Sequence, residues 1–212
     1  MEETIKITDN QIFTKIWTSP RLVIRYLHEN RYDKFSNTLL ILSGISKSFD
    51  RASHQNMGDD MSLGAIIALC IIVGGLLGWL GLYIYSALLR WTGEWLNGQG
   101  SRDSILRMLS HAMIPSILAM LILIPQMVLF GKGIFQSDID MYQYGSFSMI
   151  FYYSTLFIKV ILGIWTIVIF VIGISEVQKL SIWKSILNLV LPALVIGGPL
   201  IVFALLYRWI FV

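Results

Sequence analysis

Charge is what this sequence has least of. Only 14% of its 212 residues are Asp, Glu, Lys or Arg, against 56% hydrophobic. A soluble globular domain carries about 25% charged residues. Too few charges remain to cover a water-facing surface, and the mean hydropathy of +0.70 marks an integral membrane protein. The net charge of +3 is too small to imply a nucleic-acid partner. Cysteine is nearly absent too. Cys70 stands alone in an apolar block, which excludes an intramolecular disulfide and any CxxC site; it is expected to be a small buried hydrophobe. The opening MEETIKITDN lacks the basic start and apolar run of a signal peptide, so the chain is expected to insert through its own spans. His28, His54 and His111 lie far apart and no His-x-x-x-His spacing occurs. Neither a metal, a cofactor nor a catalytic set is expected.

A phosphate loop is missing as well, although RWTGEWLNGQGSRDS (90–104) imitates one. Gly93 and Gly98 are five apart and Ser101 closes the run, but Gln99 stands where the phosphate-binding lysine belongs. The stretch follows an apolar helix and not a strand, so nothing would aim its backbone N–H groups at a phosphate. Gly98 and Gly100 are expected to stop one helix and Ser101 to cap the next, with Ser104 as second candidate.

What is present is an all-α pattern of a polytopic membrane bundle, with about five membrane segments of which the first is short. Residues 1–33 form an amphipathic lead. Thr8 and Gln11 offer a capping box, and Ile12, Phe13, Ile16 and Trp17 share a face. After Ser19 and Pro20, which suits a first helical position, Leu22, Val23, Tyr26 and Leu27 share another. Such helices either lie on the membrane or pack on the protein's own membrane domain, residues 34–212. Residues 34–49 have a charge-free run of about 12 residues, or about 18 Å as helix, short of the ~30 Å hydrocarbon core. They span with Lys34 and Lys47 snorkelling, or dip in. Residues 50–60 read as a polar loop. Clear spans follow at 61–89, 108–131 and 185–207. The block 141–175 is too long for one crossing, which puts 142–151 at the interface.

With five crossings, eleven Lys and Arg flank the side of the N-terminus and four the other; with four crossings the split is ten to five. Positive charge stays cytoplasmic, so five crossings with a cytoplasmic N-terminus in the cell (cytoplasmic) membrane is the favoured topology. Trp91, Trp95, Trp183 and Trp209 beside Tyr207 stand where interfacial aromatics belong.

SPR (19–21), LSGISKSFDRA (42–52), NGQGS (97–101), SHAMIP (110–115) and SIWKSILNLVLP (181–192) occur in this order along the segment layout. The chain in this respect resembles the Yip-domain family (Ypt/Rab-interacting proteins), in its bacterial branch, over about residues 15 to 212. The resemblance implies a five-span helical domain with a cytoplasmic N-terminus. Eukaryotic relatives are membrane adaptors that engage small GTPases and carry an Asp-Leu-Tyr-Gly-Pro motif. This sequence does not contain that motif, and Ser110 and His111 precede Pro115 where relatives show Gly-Tyr. The residues therefore give a GTPase partner little support. A non-enzymatic adaptor or organiser is the leading expectation, with a small transporter or channel as the rival.

Several residues stand out inside apolar blocks. Lys159 is an intramembrane charge, a functional candidate by default, unless it snorkels to an interface near Thr155; Asp138 and Asp140 are its candidate partners. His111 is either a packing histidine or a proton relay. Glu94 and Glu176 follow spans and read as solvated helix ends. Gly74 and Gly78 form a G-x-x-x-G that lets helices approach closely, within the chain or in a dimer. Pro115, Pro125, Pro192 and Pro199 free backbone carbonyls inside spans, and IGGP (196–199) points to a kink or cavity. The bilayer is the one certain partner, and a protein partner is expected at the cytoplasmic lead.

Overall fold

The computed structural model describes residues 7–139 and 141–211. Among them there are helices and turns but no strand: α1 (Asp9–Thr18), α2 (Pro20–Glu29), α3 (Ser36–His54), α4 (Leu63–Trp95), α5 (Arg102–Ala112), α6 (Ile114–Leu121), α7 (Leu123–Phe130), α8 (Gly145–Gln178) and α9 (Ile182–Phe211). Short 3-10 turns over Gly131–Phe135 and Met141–Tyr144 lead from α7 into α8. Four rods are long and apolar enough to cross a membrane: α4, the broken rod α5–α7, α8, and α9 through Pro199. With the shorter α3 they form a polytopic helical bundle.

The outside of this bundle is apolar, as a lipid-facing surface is. Along α8, Phe147, Ile150, Phe157, Ile161, Ile164 and Ile167 all face outward. Residues 147–167 rise about 30 Å, the thickness of the hydrocarbon core. α8 itself continues unbroken from Gly145 for 34 residues. Residues 145–151 are its first turns, continuous with the rest of the helix. At the far end of α8, Val177 joins the buried cluster that includes residues of the lead, and Gln178 is buried as well.

Helix stops and breaks follow local chemistry. Ser101 caps α5, its Oγ accepting from the Ser104 N–H at 3.3 Å. Pro20 opens α2, and the Thr8 N–H donates to Gln11 Oε1 at 3.2 Å ahead of α1. α8 ends on Lys179 in the left-handed region (φ 57°), with the Leu180 N–H reaching back to the Ser175 carbonyl at 3.2 Å, a Schellman-type stop. The rod 102–135 breaks at Met113 and Ile122, just before Pro115 and Pro125, each of which lacks the N–H that would continue the ladder. α9 instead runs through Pro192 and Pro199 as one helix.

The expected loop at 50–60 is corrected. Residues 50–54 extend α3 to 19 residues, and they do so because α3 lies against α4. Gly44 of α3 meets Gly74 and Gly78 of α4 with no room between them. A Cβ on Gly44 would sit 2.7 Å from Gly78 Cα, and one on Gly74 2.8 Å from Ile45 Cα. Phe49 and Ala52 then join Ile66, Cys70, Leu123 and Phe135 in one buried cluster. Hydrogen bonds close that end, from Gly58 N–H to the Phe135 carbonyl (2.7 Å) and from Ser53 Oγ to the Ile134 carbonyl (3.1 Å).

The larger cluster lies at the opposite end of the bundle. Ile12, Ile16, Val23, Ile24 and Leu27 of the lead are at most 1% exposed. They share a core with Leu89, Ile105, Met108, Ile169 and Ile174. The apolar face of the lead is therefore spent on the protein and not on lipid, which decides between the two placements open to it.

Gly78→Ala is expected to destabilise the purified protein by about 1–3 kcal/mol, the usual cost of forcing extra volume into a packed contact. Gly81→Ala, which meets nothing within 4 Å, should leave the melting temperature in detergent unchanged or slightly raised.

Candidate functional site

The lead is fastened to the bundle end by charge as well as by apolar contact. Glu176, in the last turn of α8, is only 8% exposed in its side chain, and Arg25 Nε donates to its Oε1 at 2.7 Å. Lys179 (3.6 Å) and Arg21 (3.9 Å) complete three cations around one carboxylate. The expectation of a solvated helix end at Glu176 is overturned: the apolar cover of the lead buries that turn. A buried carboxylate costs several kcal/mol unless paired, and the pairing here comes from α2. Glu94 stays solvated, pairing with Arg90 one turn away (3.1 Å, both side chains about half exposed). The two glutamates do not meet.

A second clamp joins the segment after α2 to α5. Arg107, 8% exposed in its side chain, donates from Nε (2.7 Å) and Nη2 (3.0 Å) to the two oxygens of Asp33, the bidentate geometry that favours arginine. The hydrogen bond from Arg107 holds the Asp33 carboxyl below its usual range. Asp9 is held low likewise, first by its bond from Lys34 and then by one from the Tyr32 hydroxyl; burial and that same bond push the Tyr32 phenol up. His111 lies fully buried under this clamp, edge-on to Tyr32 with ring centroids 6.5 Å apart. Its Nδ1 is 2.9 Å from the Arg107 carbonyl, while Nε2 has no partner. At the end of α2, burial and then the charges of Lys179 and Arg107 push the His28 imidazole below its ordinary value.

The phosphate-loop imitation acquires a different explanation. The glycines at 93, 98 and 100 wrap the side chain of Gln178. A Cβ on Gly93 or Gly98 would collide with its amide, and one on Gly100 would lie 2.9 Å from its Cγ. Gln178 is 1% exposed; its Nε2 donates to the Leu89 carbonyl (3.2 Å), and the Gln99 N–H returns to the Gln178 carbonyl (3.1 Å). Asn188 donates to that same Leu89 carbonyl (3.2 Å) and accepts from Thr92 Oγ1 (2.7 Å). One carbonyl thus ties α4, α8 and α9 together. Sequence reasoning missed Gln178 and Asn188. The available signal was an amide side chain in or beside an apolar run, opposite a loop of small residues.

Lys159 turns its ammonium to a protein partner. It lies 12 residues past Phe147 and 8 before Ile167, near the middle of the lipid-facing belt. Its Nζ donates to Gln126 Oε1 at 2.6 Å, and Gln126 Nε2 donates to Thr155 Oγ1 at 2.7 Å. Gln126 is 3% exposed, a polar anchor one residue after Pro125. Lys159 also lines a cavity of about 130 Å³ with Asp50, Ser116 and Gly163. The acid sharing its cavity is thus Asp50 of α3. Asp138 makes no ion pair with it among the described residues, and Asp140 lies outside them. Trp91, Trp95, Trp183 and Tyr207 all face outward; the Trp209 side chain lies outside the described residues. Among the described residues no three His, Cys, Asp or Glu could hold a metal ion.

Two measurements test the clamps. Glu176→Gln, which keeps the shape and removes the charge, is expected to cost about 2 kcal/mol, the worth of a charge-assisted hydrogen bond, read as a lower melting temperature. His28, with its folded pKa below that of the unfolded chain, contributes stability that is full above about pH 6.5 and is lost as pH falls toward the folded value. Melting temperatures between pH 7.5 and 5.5 should fall less steeply in His28→Gln than in the parent.

No curated protein and no solved structure matches the chain. The family model of the Yip1 domain does match, over residues 14–205, from α1 through the four long rods, and the chain belongs to the Yip1-domain family.

Proposed function

We propose that this multi-pass membrane protein is a non-enzymatic adaptor or organiser of a bacterial cytoplasmic membrane. The N-terminus lies on the cytoplasmic side, with residues 1–33 as the partner-facing lead and 34–212 as the Yip-type transmembrane domain. The observation that carries this reading is the posture of the lead. Its apolar face is buried in the bundle end, so a fixed polar face with Asn10, Thr14, Thr18 and Arg21 outermost is offered to partners. The excess of Lys and Arg on that side supports the orientation. A small GTPase is not part of the proposal, because the motif tied to it in eukaryotic relatives is absent.

Deleting the lead would strip six core residues, Ile7 among them, so a surface variant is the better probe. Cross-linking in native membranes followed by mass spectrometry would compare the parent with Thr14→Glu/Lys15→Glu/Thr18→Glu. A specific protein captured by the parent and reduced tenfold or more in the variant is expected. Capture of lipids and insertion machinery alone would contradict the adaptor reading.

The second reading, a small transporter, is favoured by the Lys159–Gln126–Thr155 chain beside a cavity shared with Asp50. It expects proton flux in reconstituted liposomes that disappears in Lys159→Ala; an inert bundle would count against it.

A further inference from the structure

A cavity of about 610 Å³ opens between the end of α2 and the start of α5, within the volume range of small-molecule sites. Neither clamp fills it. Its lining carries both signs of charge: His28, Arg31 and Arg107 on one hand, Glu29 and Asp103 on the other, with the Ser101 hydroxyl between loop and helix. Arg107 is nine-tenths buried, and Asp33 takes only its Nε and Nη2. His28 keeps a buried Nδ1 without any partner. A purely anionic ligand would meet Glu29 and Asp103, and a purely cationic one the arginines. The complementary ligand carries a phosphate and an amine together.

Depth in the membrane narrows the source. Trp91 and Trp95 pack edge to face (4.9 Å between ring centroids) and face outward at the end of α4, as interfacial tryptophans do. The cavity-lining Gln99 and Ser101 follow Trp95 by four and six residues. An interfacial position for these tryptophans puts the mouth of the cavity at the level where lipid headgroups begin.

We propose that the cavity bounded by His28, Glu29, Arg31, Asp103 and Arg107 is a binding site for a phosphoethanolamine group, as carried by the headgroup of phosphatidylethanolamine. The phosphate faces Arg31, Arg107 and His28, and the ammonium faces Glu29 and Asp103. The site is separate from the outer face of α1 invoked for partner binding, so either assignment can fail alone.

The test uses the full chain, extracted from vesicles of equal phosphatidylethanolamine and phosphatidylglycerol with matched acyl chains and read by native mass spectrometry. Phosphatidylethanolamine is expected to be retained at least tenfold over phosphatidylglycerol at one site. That preference should be lost in Arg31→Gln and in Glu29→Gln, both exposed positions where folding, checked by melting temperature, is expected to persist. Equal retention of the two lipids, preference for phosphatidylglycerol, or an undiminished preference in both variants would overturn the proposal. Added phosphoethanolamine distinguishes the source: displacement of the lipid shows that the headgroup suffices, and retention against it assigns the intact lipid. Either result upholds the site.

Discussion

A carboxylate in the last turn of a membrane helix, cut off from water, needs cations brought to it. Glu176 is in that position, and the cations come from α2 and from Lys179. The burial that creates the need is made by the same helices that answer it: Ile12, Ile16, Val23, Ile24 and Leu27 cover the end of α8 while Arg25 reaches its carboxylate. Charge and apolar contact therefore depend on each other. The Arg107–Asp33 clamp repeats the arrangement on α5, with a buried cation and an exposed anion. Together they make the lead a structural part of the bundle end, and they leave its polar face and the mixed-charge cavity at fixed positions.

Inside the bilayer a different economy applies. Apolar contact between helices gains nothing over lipid, so close approach and polar links must hold the rods. Gly44, Gly74 and Gly78 provide the approach between α3 and α4. The Leu89 carbonyl, with Gln178 and Asn188, links α4, α8 and α9. Gln126 links α7 to α8 through Lys159 and Thr155. Lys159, inside an apolar helix, has an amide buried beside a proline break to accept from it, and Asp50 lines the same cavity.

The long rods were legible because twenty or more apolar residues have no soluble alternative, and Ser101 and Pro20 were legible as helix starts because their roles are local. What escaped was set by contacts across the chain. Residues 50–54 carry the letters of a loop, yet the glycine contact with α4 carries them as helix. Glu176 looked exposed, and the partner of Lys159 was not foreseen, because Arg25 and Gln126 lie 151 and 33 residues away. The glycines at 93, 98 and 100 declared that something must approach closely. Only the fold names it as Gln178. The order of short motifs conveyed the family more readily than any single residue conveyed a site.

The central claim is that the lead is docked on the protein and not on the lipid. In the structure Ile24 Cδ1 lies within 3.1 Å of where a Cβ on Gly173 would be, and Met108 crowds the same point. A diazirine side chain placed at Ile24 and photolysed in native membranes tests this directly. Adducts within the same chain, on the peptides containing Met108 and Gly173, are the predicted product. Adducts confined to lipid would contradict the account.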